Sequence, residues 1–150
     1  MGYLDLADRS WPLLHRVTGL HTAAYRATRG IVGQKLPGLP RMLLLDHVGA
    51  KSGTRRTSPL IYLADGQDLV IVASKGGFGA HPAWLHNLRA NPDTRVQVGS
   101  QVRPVHARVA TADERRRLWP LLVDLYPDYD TYQRRTDREI PVVVLEPRRP

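Results

Sequence analysis

Four segments of this sequence carry residue types that could do chemistry. The first is Gly49-Ala50-Lys51-Ser52-Gly53-Thr54-Arg55-Arg56. Its glycines allow a tight turn that exposes backbone N–H groups. Lys51, Arg55 and Arg56 add positive charge, and Ser52, Thr54 and Thr57 add hydroxyls, which together suit a phosphate or carboxylate. It is not a Walker loop, because the glycine that should stand four residues before Gly-Lys-Ser/Thr is missing. On the residues alone, an anion cradle and a solvated hairpin turn are equally good readings.

The second segment, Ala73-Ser74-Lys75-Gly76-Gly77-Phe78-Gly79, leaves an apolar run through flexible glycines. It places a hydroxyl and an ammonium at a strand end, where ligands are often held; a turn needing positive φ is the plainer account. The third, His81-Pro82-Ala83-Trp84-Leu85-His86-Asn87-Leu88, puts Trp84 and Asn87 three apart on one helix face. His81 and His86 stand five apart, the wrong helical spacing for a ligand pair, and no third ligand is evident, so no metal is expected. In the fourth, Tyr126, Tyr129 and Tyr132 repeat every three residues and present amphipathic rings that could wall a pocket or simply pack a terminal helix.

The elements needed to position these segments can be read from periodicity. Ser10-Trp11-Pro12 opens a helix through about Arg29, with Leu13, Leu14, Val17, Leu20 and Ala24 at helical spacing. Six strands follow, predicted over 42–48, 57–63, 69–73, 95–98, 102–109 and 140–145. Asp65-Gly66 and Gly99-Ser100 supply hairpin turns. Helices are predicted over 82–90, from the Thr111/Glu114 capping box to about 125, and over 129–135. Hairpins interrupted by helices argue α+β, and a small closed or split β-barrel is the natural way for about six mostly antiparallel strands to hide their edges, with helices flanking it.

Composition bounds the rest. A chain of 150 residues, 42% hydrophobic and 24% charged, suits one domain over 1–150, with 1–40 as an N-terminal helical segment. The net charge is +8, and only three of 22 basic residues are lysine. Such arginine richness fits an anionic partner as well as a solvated surface. Absence of cysteine excludes disulfides and thiolate chemistry. Arg, Asp, His or Pro interrupts every apolar stretch and no signal-peptide pattern opens the chain, so a cytoplasmic location is expected.

Taken in order, these segments resemble the deazaflavin (coenzyme F420)-dependent nitroreductase and quinone reductase family, split-barrel oxidoreductases of actinobacteria. The resemblance runs over roughly Leu43 to Pro147. It rests on the Gly-x-Lys-Ser-Gly-x-x-Arg loop, Ala73-Ser74-Lys75-Gly76-Gly77, Pro82-x-Trp84-x-x-Asn87-Leu88-x-x-Asn91-Pro92, and Tyr126-Pro127-x-Tyr129-x-x-Tyr132 followed by Thr136-Asp137-Arg138-x-Ile140-Pro141. It implies coenzyme F420 as cofactor, with an anionic phosphodiester and oligoglutamate tail. Ala50, Lys51, Ser52, Arg56, Thr57 and Ser58 would then hold the phosphate and tail. Ala73, Ser74 and Lys75 would lie along the ring and linker, with Trp84 and Asn87 beyond. Tyr126, Tyr129 and Tyr132 would line the acceptor side, Tyr129 also touching cofactor, with Ser74 and the tyrosines as catalytic hydrogen-bond donors. Some relatives carry two adjacent tyrosines where Ile61 precedes Tyr62 here, which argues against bulky nitroaromatics.

The resulting expectation is hydride transfer from reduced F420 to a quinone-like or nitroaromatic acceptor. The competing readings are an FMN-binding split barrel and a basic, non-enzymatic nucleic-acid-binding module. Against the latter, aromatics are only 7% and no nucleic-acid motif is present, so no nucleic-acid partner is expected. A peripheral contact of the N-terminal helix with the inner face of the plasma membrane is left open.

Overall fold

The computed structural model describes residues 19–26 and 39–149. Its strands are β1 (Met42–Val48), β2 (Arg55–Ile61), β3 (Leu63–Asp65), β4 (Asp68–Val72), β5 (Asp93–Val98), β6 (Gln101–Val109) and β7 (Val142–Pro147). The helices are α1 (residues 19–26), α2 (Ala83–Ala90), α3 (Ala112–Leu125) and α4 (Asp128–Arg135), with a 3-10 turn at Lys75–Gly77. Every strand pairing is antiparallel, in the order β2-β1-β5-β6-β7-β4-β3.

The expected α+β split barrel is borne out, with a seventh strand. The run read as one strand over 57–63 divides at Tyr62: Ile61 pairs with Met42 of β1, whereas Leu63 pairs with Val70 of β4. The two edge strands of the sheet are therefore neighbours in sequence. A sheet whose edges are tied by one residue has to curl into a half-barrel. The last strand also starts later than predicted. Pro141 has no N–H for a ladder, and its carbonyl instead accepts from Ala73 N at 2.9 Å.

Alternation along β4 and β7 builds a core on each face of the sheet. Leu69, Ile71, Val143 and Leu145 join Leu43, Leu45 and Val96 around Trp84, Leu85 and Leu88 of α2. Val70, Val72, Val142 and Val144 turn the other way, onto Leu118 and Leu122 of α3 and Tyr129 of α4. Each fully buried leucine contributes roughly 1.5–3 kcal/mol. The predicted capping box is formed: Glu114 N donates to Thr111 Oγ1 at 3.2 Å, and Thr111 N to Glu114 Oε1 at 3.0 Å.

Of the helix read over 10–29, residues 19–26 are helical and the remainder lies outside the described residues. Tyr25 anchors this helix. It is fully buried, donates to Met42 O at 3.0 Å and accepts from Gly99 N at 2.9 Å, tying α1 to β1 and to the β5–β6 hairpin. Arg26 adds an ion pair to Asp46 at 2.7 Å.

Candidate active site

A cleft of about 930 Å³ opens between β2, the turn after β4, the start of α2, the α3–α4 junction and α1. Arg56, Thr57, Ser58, Ser74, Lys75, Trp84, Tyr126, Tyr129 and Tyr132 all line it, so the second, third and fourth segments singled out from sequence meet there with Arg56, the last residue of the first, and the strand that follows it. Ala50, Lys51 and Ser52 lie outside it on an exposed turn, Ala73 is fully buried in the core, and Asn87 is buried on α2.

The basic turn is less open than its glycines suggested. Gly49 N donates to Thr54 O and Gly53 N to Gly49 O, both at 2.9 Å. Ala50 N is taken by Asn87 Oδ1 at 2.9 Å and Thr54 N by Ser52 Oγ at 3.2 Å. These four N–H groups are satisfied inside the protein, which leaves fewer backbone donors to meet an anion. At the edge of the cleft, Thr57 donates its hydroxyl to Asp46 at 2.8 Å, while Arg56 and Ser58 remain turned to the cavity.

The turn after β4 is held in an uncommon backbone. Lys75, Gly76 and Gly77 have φ of 44, 62 and 79°, a left-handed run in which a lysine is costly and glycine is not. Gly77 lies against α4 so closely that a Cβ there would sit 2.7 Å from Tyr132 O. This contact fixes Lys75 and Tyr132 relative to each other across the cavity.

Arg138, quoted in a motif but given no role from sequence, clamps the same turn. It donates to Ser74 O at 2.8 Å, Phe78 O at 2.9 Å and Ala73 O at 3.2 Å, and to His81 Nδ1 at 3.0 Å. No carboxylate pairs with it among the described residues, and burial pulls its pKa below the ordinary arginine value. His81 is thus engaged on Nδ1, and its own pKa is lowered by burial and then by the Arg138 charge. No group of three or more His, Asp or Glu is placed to hold a metal ion among the described residues.

The tyrosines form a packed cluster. Tyr126 meets Tyr129 edge-on at 5.0 Å between centroids, and its hydroxyl lies 3.3 Å from that of Tyr132. Burial raises the pKa of both Tyr126 and Tyr129, with Tyr132 adding to each. Both phenols are thereby held in the protonated form, with a hydroxyl hydrogen to donate.

His47 escaped the sequence reading. It alternates within an apolar strand, and its partners lie 11 and 40 residues away. The ring is 5% exposed, with Nε2 2.9 Å from Ser58 Oγ and Nδ1 2.9 Å from Asn87 Nδ2. Burial, then the charge of Arg56, lowers its pKa from 6.5 to about 4. Thr22 and Gly19 of α1 were also missed, since a helix so far along the chain gave no sign of reaching the cleft.

A model of the family described as F420H(2)-dependent quinone reductase matches residues 17–147. The chain belongs to that family. The match begins well before the basic turn and takes in α1. An F420H(2)-dependent quinone reductase of Mycobacterium tuberculosis is 45% identical over 129 residues, covering 84% of this chain and 87% of its own. A second protein of that organism, provisionally assigned the same activity, is 50% identical over 106 residues, or 71% and 89% of the two chains. A solved F420-H2 dependent reductase superposes with a TM-score of 0.66 at 42% identity, over 75% of this chain and all of its own. The family's cofactor is coenzyme F420.

The residues present fit that group. The walls supplied by Met42, Leu60, Ile61, Val72 and Trp84 are apolar and suit a flat ring, while Arg56 and Lys75 bring charge to the cavity. Thr22 Oγ1 is buried beside the cavity with no hydrogen-bond partner among the described residues, an orphan that a bound polar molecule would satisfy. Among the described helices none is long and apolar enough to cross a membrane.

Proposed function

We propose that this cleft holds reduced coenzyme F420 and passes its hydride to a quinone-like acceptor. The cofactor supplies the hydride chemistry when bound. Arg56, Thr57 and Ser58 offer charge and hydroxyls to its phosphodiester and tail, with Ala50, Lys51 and Ser52 of the neighbouring turn meeting only the outer end of that tail. Ser74, Lys75 and Trp84 border the ring, and Ala73 contributes through the buried strand end. Asn87 acts on the cofactor only through the residues it holds.

On the acceptor side, the Tyr126, Tyr129 and Tyr132 phenols hydrogen-bond oxygen as charge develops on it, an arrangement set before reaction begins. The raised pKa values of Tyr126 and Tyr129 fit that task and leave the acceptor's proton to solvent. Ile61 keeps that part of the wall aliphatic, which favours quinones over nitroaromatics. Leu20 is 73% exposed, next to Gly19 at the cleft, and is the apolar side chain by which α1 would meet a lipid surface carrying such an acceptor.

The observation that carries this reading is the convergence of the Ser74–Lys75 turn and the tyrosine cluster on one apolar cavity, held in register by Gly77 against Tyr132. The test is menadione-dependent oxidation of reduced F420 by wild type, Tyr129→Phe and Tyr132→Phe. At least one variant should lose turnover by about tenfold, the scale of one hydrogen bond in a closed site, while F420 affinity holds. Unchanged turnover in both would return the cluster to a packing role.

A further inference from the structure

The geometry points to His47 and Asn87 as positioning residues that hold the Ser58 hydroxyl as a hydrogen-bond donor into the cleft, aimed at an oxygen atom of the bound cofactor. The identity of the ligand rests on the F420 reading above; the relay rests on the structure alone.

The direction of each bond follows from which atoms can donate. Ala50 N–H only donates, so Asn87 must turn its Oδ1 toward it, 2.9 Å away. That leaves Asn87 Nδ2 facing His47 Nδ1 at 2.9 Å, and an amide nitrogen also only donates. Nδ1 therefore accepts, and the ring proton sits on Nε2. Nε2 lies 2.9 Å from Ser58 Oγ and donates to it. Having accepted from the ring, Ser58 directs its own hydrogen elsewhere. Ser58 lines the cleft, and its hydroxyl makes no other hydrogen bond among the described residues.

A free serine rotor donates or accepts with equal ease, so a ligand must select one state and lose the other. Here the choice is made beforehand, which spares the ligand that ordering cost. The surroundings of the ring preserve the arrangement. Arg55 and Arg56 of β2, Arg95 and Asp93 of β5, Arg26 of α1, Arg148 after β7 and Asp46 of its own strand share a second cleft with His47, while α2 contributes the neutral Asn87. Burial first, and then the Arg56 charge, keeps the imidazole neutral against the opposing pull of Asp46, as an accepting Nδ1 requires. One further consequence is mechanical: the same amide that sets the tautomer docks the basic turn through Ala50.

Two measurements test the proposal. Nitrogen spectra of the ligand-free protein labelled in histidine should show His47 neutral and protonated on Nε2 at pH 7. Affinity for oxidised F420 should fall about 3–10-fold in His47→Leu, the scale of one hydrogen bond, and stay near wild type in His47→Gln, which keeps a donor for Ser58. In a Ser58→Ala background, His47→Leu should change affinity no further. An Nδ1-protonated ring overturns the relay while leaving F420 binding intact. An equal loss on adding His47→Leu to Ser58→Ala overturns it too, by reducing His47 to a packing residue. A wild-type protein that takes up no F420 defeats the ligand assignment first, and with it the role given to Ser58. Should His47→Leu fail to fold, the spectra and His47→Gln in both backgrounds still decide.

Discussion

Replacing Gly77 by alanine isolates the contact that sets the two sides of the cleft. Gly66, in the β3–β4 hairpin, provides the comparison, because both glycines have positive φ, +60° and +79°. Alanine in that region costs about 1–2 kcal/mol at either position. Around Gly66 nothing lies within 4 Å of the new methyl group. At Gly77 the methyl would lie 2.7 Å from Tyr132 O and 2.9 Å from Tyr132 Cα. Those are backbone atoms of α4 and cannot swing aside as a side chain would. The helix has to move or the turn has to re-form, which adds about 1–3 kcal/mol. Urea unfolding should therefore show a loss of about 1–2 kcal/mol for Gly66→Ala and about 2–5 kcal/mol for Gly77→Ala. Because α4 carries Tyr132, the folded fraction of Gly77→Ala should also show a raised KM for the quinone, with Gly66→Ala kinetically normal. Equal destabilisation by the two substitutions would refute the reasoning.

Stability should fall with acid through His47. Its folded pKa of about 4 lies below the ordinary 6.5, so its contribution is complete above pH 6.5 and lost as pH falls toward 4, with about 2 kcal/mol gone by pH 5. His47→Gln should flatten that part of the urea-derived stability profile relative to wild type. Arg56→Ala should weaken F420 binding about tenfold, near the lower end for a charged hydrogen bond because Arg56 is exposed, as fluorescence titration would show. Lys51→Ala should cost about twofold or less, since Lys51 stands outside the cleft on an exposed turn.

Much of the fold was legible because its signals are local. The Gly66 and Gly99 turns and the Thr111/Glu114 box are written in adjacent residues, and each forms where the sequence places it. The break at Tyr62 was not legible. Thr57 to Leu63 reads as one strand, and only the pairing of Ile61 with β1 and Leu63 with β4 reveals that the chain passes from one edge of the sheet to the other. The tyrosine cluster and the Ser74–Lys75 turn could be picked out as segments, but the contact between them depends on a glycine 55 residues from Tyr132. Asn87 shows the limit most plainly. Helical spacing puts it beside Trp84, and nothing local says that it turns inward to His47 and Ala50, 40 and 37 residues away. Arg138 likewise gives no sequence sign of binding carbonyls 64 and 65 residues earlier.

The most direct test of the account is parallel titration of the purified protein with oxidised F420 and with FMN, followed by fluorescence at low and high salt. F420 should bind more tightly than FMN and lose affinity as salt screens its anionic tail from the cleft's cations. FMN binding as tight as that of F420, or tighter, would contradict the assignment of this cleft to a deazaflavin.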